Sequence, residues 1–473
     1  MSWQTIVKEK ELDVSIINFK NIERERIDAD FYSNTFLANK NKIKELNTKL
    51  MSDICYIKSG TTPKDRDDDL EEGVVLLKTT NIRNKPLTSG TSYYYISKEL
   101  AERMKSTQLQ KGDVLMNIVG ATLDVIGRVS IVPNDFPKAN ITQAMAMMRT
   151  KDENFLSGYI FTFLLSKYGN LQTQRLARPT GQYNLNLQEV SAIRVPVADR
   201  DFQESVSKLV FDYQILSDKS VKAYGDAEQI LLKEINLEKY KGTDEAISIR
   251  NFTNCLADNR FDAEYWQPEY DIILDTLSKY KKGVSTIGKE FKPIKGNFKA
   301  ENDKEYNYVE IGDVNISTGE VEYNAIIGAE LPANAKVKFS KRQLITSKVR
   351  PNRGATAILD NHEGYIGSGA FTVLTEQDNI NLEILMVYLK ARPIRELLLR
   401  YNTGTSYPVI TDSDVLKLPI PLIDKAVQKK ISELVSVSAK ERQEAEELLE
   451  KAKRVIEIFI EKDEEEALSY LKR

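Results

Sequence analysis

Arg26-Ile27-Asp28-Ala29-Asp30-Phe31-Tyr32 returns 260 − 26 = 234 residues later as Arg260-Phe261-Asp262-Ala263-Glu264-Tyr265-Trp266. The arginine, aspartate, alanine, second acid and aromatic pair keep their order. A repeat decides how many times one unit is built, so it is sought before any element is assigned. Working outward, further blocks match in the same order. Thr180-Gly181 returns as Thr403-Gly404. Each glycine precedes a proline by the same interval, 196 − 181 = 15 and 419 − 404 = 15 residues. Those prolines lie in Val195-Pro196-Val197 and Leu418-Pro419-Ile420. After them, Phe202-Gln203-Glu204-Ser205-Val206-Ser207-Lys208-Leu209-Val210 matches Val427-Gln428-Lys429-Lys430-Ile431-Ser432-Glu433-Leu434-Val435. Four blocks in register predict two copies of one unit.

Each copy holds two kinds of material. The first is strand-like and punctuated by turns. Gly73–Lys78 and Gly112–Val119 are short apolar runs bounded by glycine; in the second half Gln343–Val349 runs up to Pro351, and Gly369–Leu374 follows. Phe155–Tyr168 and Leu382–Leu399 read as helices. The second kind is a long helix. Asp199–Leu237 carries Val206, Leu209, Val210, Tyr213, Leu216, Tyr224, Ile230, Leu231 and Ile235 at mostly three-and-four spacing. Its copy carries Ile431, Leu434, Val435, Ala445, Leu448, Leu449, Ala452, Val455, Ile456 and Phe459. This is the pattern of a coiled-coil seam, on rods of roughly 55 Å at 1.5 Å rise per residue. Packing the two rods on each other is the economical arrangement; docking each on a partner protein is the alternative.

The expected class is α+β: two pseudo-symmetric mixed α/β domains joined by two long antiparallel coiled-coil helices. The expected divisions are an N-terminal helical segment 1–51, domains 52–198 and 284–422, long helices 199–240 and 423–473, and a linker 241–283 holding the second copy of the repeat start.

Composition narrows the function. The 473 residues are 41% hydrophobic and 29% charged, enough for real cores. No stretch approaches the roughly 18 uninterrupted apolar residues of a membrane span, so no membrane partner and a cytoplasmic location are expected. Cys55 and Cys255 allow at most one disulfide, and with His362 alone they make a structural zinc unexpected. His362 lies in Asp360-Asn361-His362-Glu363-Gly364, which reads as a solvated turn. There is no Gly-x-x-x-x-Gly-Lys-Ser/Thr loop, no Gly-x-Gly-x-x-Gly opening a helix, and no Asn/Asp-Pro-Pro-Tyr/Phe string. The chain is therefore expected to bind rather than catalyse, with no metal or cofactor of its own.

Net charge is −3, which does not by itself favour nucleic acid. The acid is uneven, however. Residues 52–198 hold 18 basic and 15 acidic residues (18 − 15 = +3), whereas 199–250 hold 8 and 11 (8 − 11 = −3). The candidate DNA contacts lie in loops before the prolines. Arg175, Arg178, Thr180, Gln182 and Asn184 fall in the first, and Arg400, Asn402, Thr403, Thr405 and Ser406 in the second. Arginine matches guanine, and glutamine or asparagine matches adenine, while hydroxyls suit phosphate. The competing reading is that these loops are turns packed on the following helix. Lys348, Arg350, Asn352 and Arg353 form a second, basic candidate; its copy, Asn117–Thr122, has no cation, so the two domains should read different sequences. Lys78, Asn81 and Arg83, after a strand, are a third.

Lys111–Thr122, Phe339–Pro351, and the Thr-Gly loop leading through Val195-Pro196 or Leu418-Pro419 to a long helix resemble the specificity (S) subunit of type I restriction–modification systems. The likeness covers nearly the whole chain, and its twofold ordered repetition makes it specific. It implies two target-recognition domains, each reading half of a split, asymmetric site in double-stranded DNA. The long helices would act as a ruler and dock two methyltransferase (M) subunits. S-adenosylmethionine and adenine methylation would belong to the M subunits. ATP would serve restriction (R) subunits, where these join, and magnesium would also belong to the partner subunits. The segment before the first domain also suits an S-like subunit of a fused restriction–methylation enzyme. The rival of a different class is a coiled-coil scaffold binding protein.

Overall fold

The computed structural model describes residues 15–23, 26–65, 67, 70, 72–88, 93–179, 181–243, 245, 247–316, 318–404 and 406–472. It divides into two compact units, Met1–Asp218 with Glu441–Arg473, and Lys219–Lys440.

The first unit builds a four-stranded antiparallel sheet in the order Cys55–Ser59, Met145–Thr150, Val114–Asn117, Val129–Ile131. The second repeats it with Phe291–Ile294, Phe371–Glu376, Gln343–Ser347, Thr356–Leu359. A second sheet is duplicated too. Val74–Leu77 pairs antiparallel with Tyr94–Ile96 and parallel with Ala139–Ile141. Glu305–Val309 pairs the same way with Asn324–Ile327 and Ile366–Ser368, and Ala335–Lys338 adds an edge. The matched prolines sit in two-stranded ladders, Arg194–Pro196 on Thr48–Leu50 and Pro419–Pro421 on Val284–Thr286. Proline has no N–H to give a further strand, so these ladders stay narrow.

The expected strand Gly112–Val119 divides. Val114–Asn117 stays in the main sheet, while Val119–Gly120 joins a small sheet with Tyr183–Asn184 and Arg178–Pro179. The expected helices also divide: Ser157–Leu165 is followed by Lys167–Leu176, and Leu382–Lys390 by Arg392–Leu399. Ser166 is extended (ψ 157°), and its hydroxyl accepts from Gly169 N at 3.3 Å, capping the next helix. Ala391 is extended (ψ 135°), and Pro393 in the next first turn has no N–H to bond back.

The long helices run Arg200–Glu234 and Lys425–Glu461. In the first unit Phe202 meets Phe459 (ring centroids 5.0 Å) and Tyr213 reaches Glu446, so numbering runs in opposite senses. Val206, Val210 and Tyr213 share one buried cluster with Ala445, Leu449, Val455 and Ile456. In the second unit Ala227, Leu231 and Ile235 share another with Ile431 and Val435, and buried Ser220 donates to Ser438 O at 2.7 Å. The expected seam is therefore present in each unit.

Each helix start is fixed identically. Gln203 Nε2 donates to Asn154 O and Ala198 O, both at 2.9 Å, and its Oε1 accepts from Leu156 N. Gln428 Nε2 donates to Asn379 O and Ile423 O at 2.9 Å, and its Oε1 accepts from Asn381 N. Buried Tyr159 and Tyr388 donate to the carbonyls of Pro196 and Pro419.

His362 is not a freely solvated turn residue: it is half-buried, its Nε2 lies 3.2 Å from Val321 O, and its ring meets Tyr365 edge-on. Both cysteines are free thiols, and burial pushes the Cys55 thiol up to about 12. Among the described residues no helix is long and apolar enough to cross a membrane, and no group of three His, Cys, Asp or Glu is placed to hold a metal ion.

Candidate nucleic-acid interface

In the second unit two of the three sequence candidates meet. The strand Gln343–Ser347 runs on into Lys348-Val349-Arg350, and this extension is stitched to the end of the Thr-Gly loop. Val349 bridges Val409, Arg350 N donates to Pro408 O at 2.7 Å, and Ile410 N donates to Lys348 O at 2.9 Å. Asn402 shapes the loop's mouth, because its Oδ1 accepts from Gly404 N at 2.8 Å and Val409 N at 2.9 Å. Thr403 Oγ1 donates to Val409 O at 3.3 Å. Arg350, in the left-handed region (φ 51°), is exposed and places its guanidinium 5.4 Å from the Tyr407 ring. Asn352 and Arg353, just after it in sequence, are exposed, as are Thr403 and Ser406 in the Thr-Gly loop. Lys348 is held back by Asp412 at 3.0 Å. Thr405 lies outside the described residues.

The first unit builds the matching corner differently. Arg178–Pro179 and Tyr183–Asn184 form a hairpin whose second strand pairs with Val119–Gly120. Gln182 at its tip is exposed, and Asn184 Nδ2 donates to Gln182 O at 3.0 Å. Thr180 lies outside the described residues. Arg178 is only half-exposed and pairs with Glu189 at 2.5 Å, a residue that also caps its own short helix through Asn186 N. The third candidate joins here: buried Asn117 Nδ2 donates to Thr79 O at 3.0 Å, tying the strand end to the turn Lys78–Arg83. In that turn Asn81 Oδ1 accepts from Lys78 N, Lys78 Nζ sits 3.6 Å from the Tyr94 ring centroid, and Arg83 is exposed.

Residues 43–215 and 279–450 match the type I restriction modification DNA specificity domain. The chain belongs to this family. Among curated proteins it is similar to the type I restriction enzyme HindI specificity subunit of Haemophilus influenzae, 31% identical over 132 residues, covering 26% of this chain and 28% of that one. It is also similar to the type I restriction enzyme EcoBI specificity subunit of Escherichia coli, 24% identical over 160 residues, 34% of this chain and 32% of that one. The aligned stretches thus span about three tenths of these relatives. Among solved structures, the type I restriction-modification system S subunit from M. genitalium matches with 12% identity and a TM-score of 0.33 over 90% of this chain and 96% of that chain.

Most of one DNA specificity domain therefore falls in each unit. Within these domains Arg175 and Arg400 do not face outward as expected for DNA contacts. They are only 8% and 9% exposed. Arg175 lies 3.6 Å from the Phe31 ring centroid, donates to Phe31 O at 3.2 Å and pairs with Glu23 at 2.9 Å. Arg400 lies 4.3 Å from Tyr265 and 5.5 Å from Trp266. Both hold the Arg-x-Asp-Ala repeat against the domain, because stacked guanidinium keeps its charge while shedding water. Sequence reasoning missed this role; the signal was the aromatic pair in each repeat, which needs a cation or a core to cover it. It also missed Glu310 and Asp313, which in the second domain occupy the turn that carries Lys78 and Asn81 in the first.

Proposed function

We propose that the chain is the specificity subunit of a type I restriction–modification complex, reading a bipartite, asymmetric site in double-stranded DNA for two methyltransferase subunits, with restriction subunits as further partners. The observation that carries this is the duplicated corner: a polar loop pinned to the end of a main-sheet strand in both units, with different cations exposed in each. Related scaffolds holding different exposed groups suit two half-sites of different sequence. The readers on this view are Gln182, Asn184, Lys78, Asn81 and Arg83 in the first unit, with Arg178 once it leaves Glu189. In the second they are Arg350, Asn352, Arg353, Thr403 and Ser406, with Lys348 facing phosphate. Asn402 shapes the loop, and Arg175 and Arg400 anchor from within. S-adenosylmethionine, ATP and magnesium fall to the partners, and the paired helices supply both the docking surface and the spacing between half-sites.

The test is co-expression with an adenine methyltransferase encoded beside it, followed by genome-wide mapping of methylated adenine. A two-part motif separated by a fixed gap is expected. A soluble, intact complex that leaves no such motif overturns the assignment.

A further inference from the structure

We propose that Arg26 and Arg260 are positioning residues for specificity, each fixing the reading loop of its own unit; this rests on the loops being the readers. The Arg26 guanidinium forks onto Asp28 (2.8 and 3.1 Å) and donates to Leu176 O at 2.9 Å and Ala177 O at 3.2 Å. Those carbonyls close the helix Lys167–Leu176, whose last acceptors have no partner within the helix. The next residue, Arg178, opens the hairpin. Arg260 forks onto Asp262 at 2.6 Å twice and donates to Asn402 O at 3.2 Å. Asn402 is the residue whose side chain gathers Gly404 N and Val409 N.

The equivalence extends to the supports. Tyr32 Oη donates to Arg26 O at 2.9 Å, and Trp266 Nε1 donates to Arg260 O at 2.9 Å. Arg26 and Arg175 flank Phe31 at 4.1 and 3.6 Å, as Arg260 and Arg400 flank Tyr265 at 4.6 and 4.3 Å. Counted from Arg175 and Arg400, Ala177 and Asn402 are the same position (177 − 175 = 402 − 400 = 2). The loops differ in length beyond this point, since Thr180 follows its arginine by five residues and Thr403 by three (180 − 175, 403 − 400). One device thus sets the root of two different loops. A planar fork that meets a carboxylate and a carbonyl together cannot be replaced by a lysine's point charge.

The experiment compares methylated-site motifs for the full chain with its methyltransferase partner, using wild type, Arg26→Lys, Arg260→Lys and the loop variant Gln182→Ala. Asp28→Asn and Asp262→Asn serve as second variants that keep the side-chain shape. Arg26→Lys should let methylation spread to single-mismatch sites in the half-motif that Gln182→Ala also degrades, and Arg260→Lys in the other half. The cognate-to-mismatch ratio should fall about five- to a hundredfold, the range of one well-made base contact. A purely structural role would lower the amount of complex or both halves together. If Gln182→Ala degrades one half while the arginine and aspartate variants leave both halves sharp, the positioning role is wrong and the loop reading stands. If wild type yields no two-part motif, the loop reading itself is lost, and this proposal with it.

Discussion

At the turn after its second-sheet strand, the first unit carries Lys78 and Asn81 where the second carries Glu310 and Asp313. The backbone is the same: Lys78 N donates to Asn81 Oδ1 and Glu310 N to Asp313 Oδ2, both at 2.7 Å. At the end of the main-sheet strand the charge is reversed. Val119-Gly120-Ala121-Thr122 has no cation, whereas Val349-Arg350-Pro351-Asn352-Arg353 has two. Ladder bonds and side-chain caps fix the scaffold, and the outward side chains are left to differ. On the proposed function, the two domains can therefore diverge in preference without either refolding.

The comparison can be pressed hardest where the scaffolds are unequal. Phe202 is fully buried between Tyr159 and Phe459, while its repeat partner Val427 is only partly buried. Phe202→Ala should cost about 3–5 kcal/mol, against about 1 kcal/mol for Val427→Ala, read by urea denaturation. Comparable losses would mean the two helix starts are packed alike after all. Next, Arg350→Ala with Arg353→Ala should weaken specific binding by about 1–3 kcal/mol for each contact made to a base. Motif mapping should show the second half-site alone relaxed; a change in both halves breaks the division of labour. In the opposite direction, Glu310→Lys with Asp313→Asn should make the second unit resemble the first. The plot of log affinity against log salt should steepen by about 0.9 for each phosphate gained, and an unchanged slope would place this turn away from DNA.

Two smaller effects separate strain and charge from function. Arg350 holds a left-handed backbone that disfavours a side chain. Arg350→Gly should gain up to about 1 kcal/mol in stability while losing affinity; a stability loss would show that the Tyr407 contact outweighs the strain. Asp28 and Asp262 are held below the usual aspartate range, first by the hydrogen bonds from Arg26 and Arg260. A lowered carboxylate stabilises the fold above its ordinary pKa of about 3.9, and the contribution goes as pH falls through the lower folded value. Wild type should therefore lose stability more steeply than Asp28→Asn or Asp262→Asn below about pH 4.

Much of this was open to reading in the chain itself. The Arg-x-Asp-Ala repeat, the Thr-Gly to proline interval and the apolar spacing of the long helices announced duplicated units and paired rods. What stayed hidden has a physical reason in each case. Arg175 and Arg400 look like any loop arginine, because burial depends on Phe31 and Tyr265, more than a hundred residues away in sequence. Their equivalence was masked by the two-residue difference in loop length. The break at Ser166 is set by one hydroxyl cap that the apolar periodicity of Phe155–Tyr168 outweighs on paper. The parallel pairing of Val74–Leu77 with Ala139–Ile141 leaves no local trace.

The first unit closes its core with Ala445, Leu449, Val455, Ile456, Phe459 and Ala467, all drawn from the far end of the chain. On the ribosome, the strands and helices before Asp218 must wait, with Phe202 and Val206 uncovered, until the whole second unit has been translated. Residues that emerge first are thus finished last. A premature stop between Lys440 and Val455 would spare the second unit's own residues and strip the first of Val455, Ile456 and Phe459, and chaperone dependence should track the time that elapses between the two.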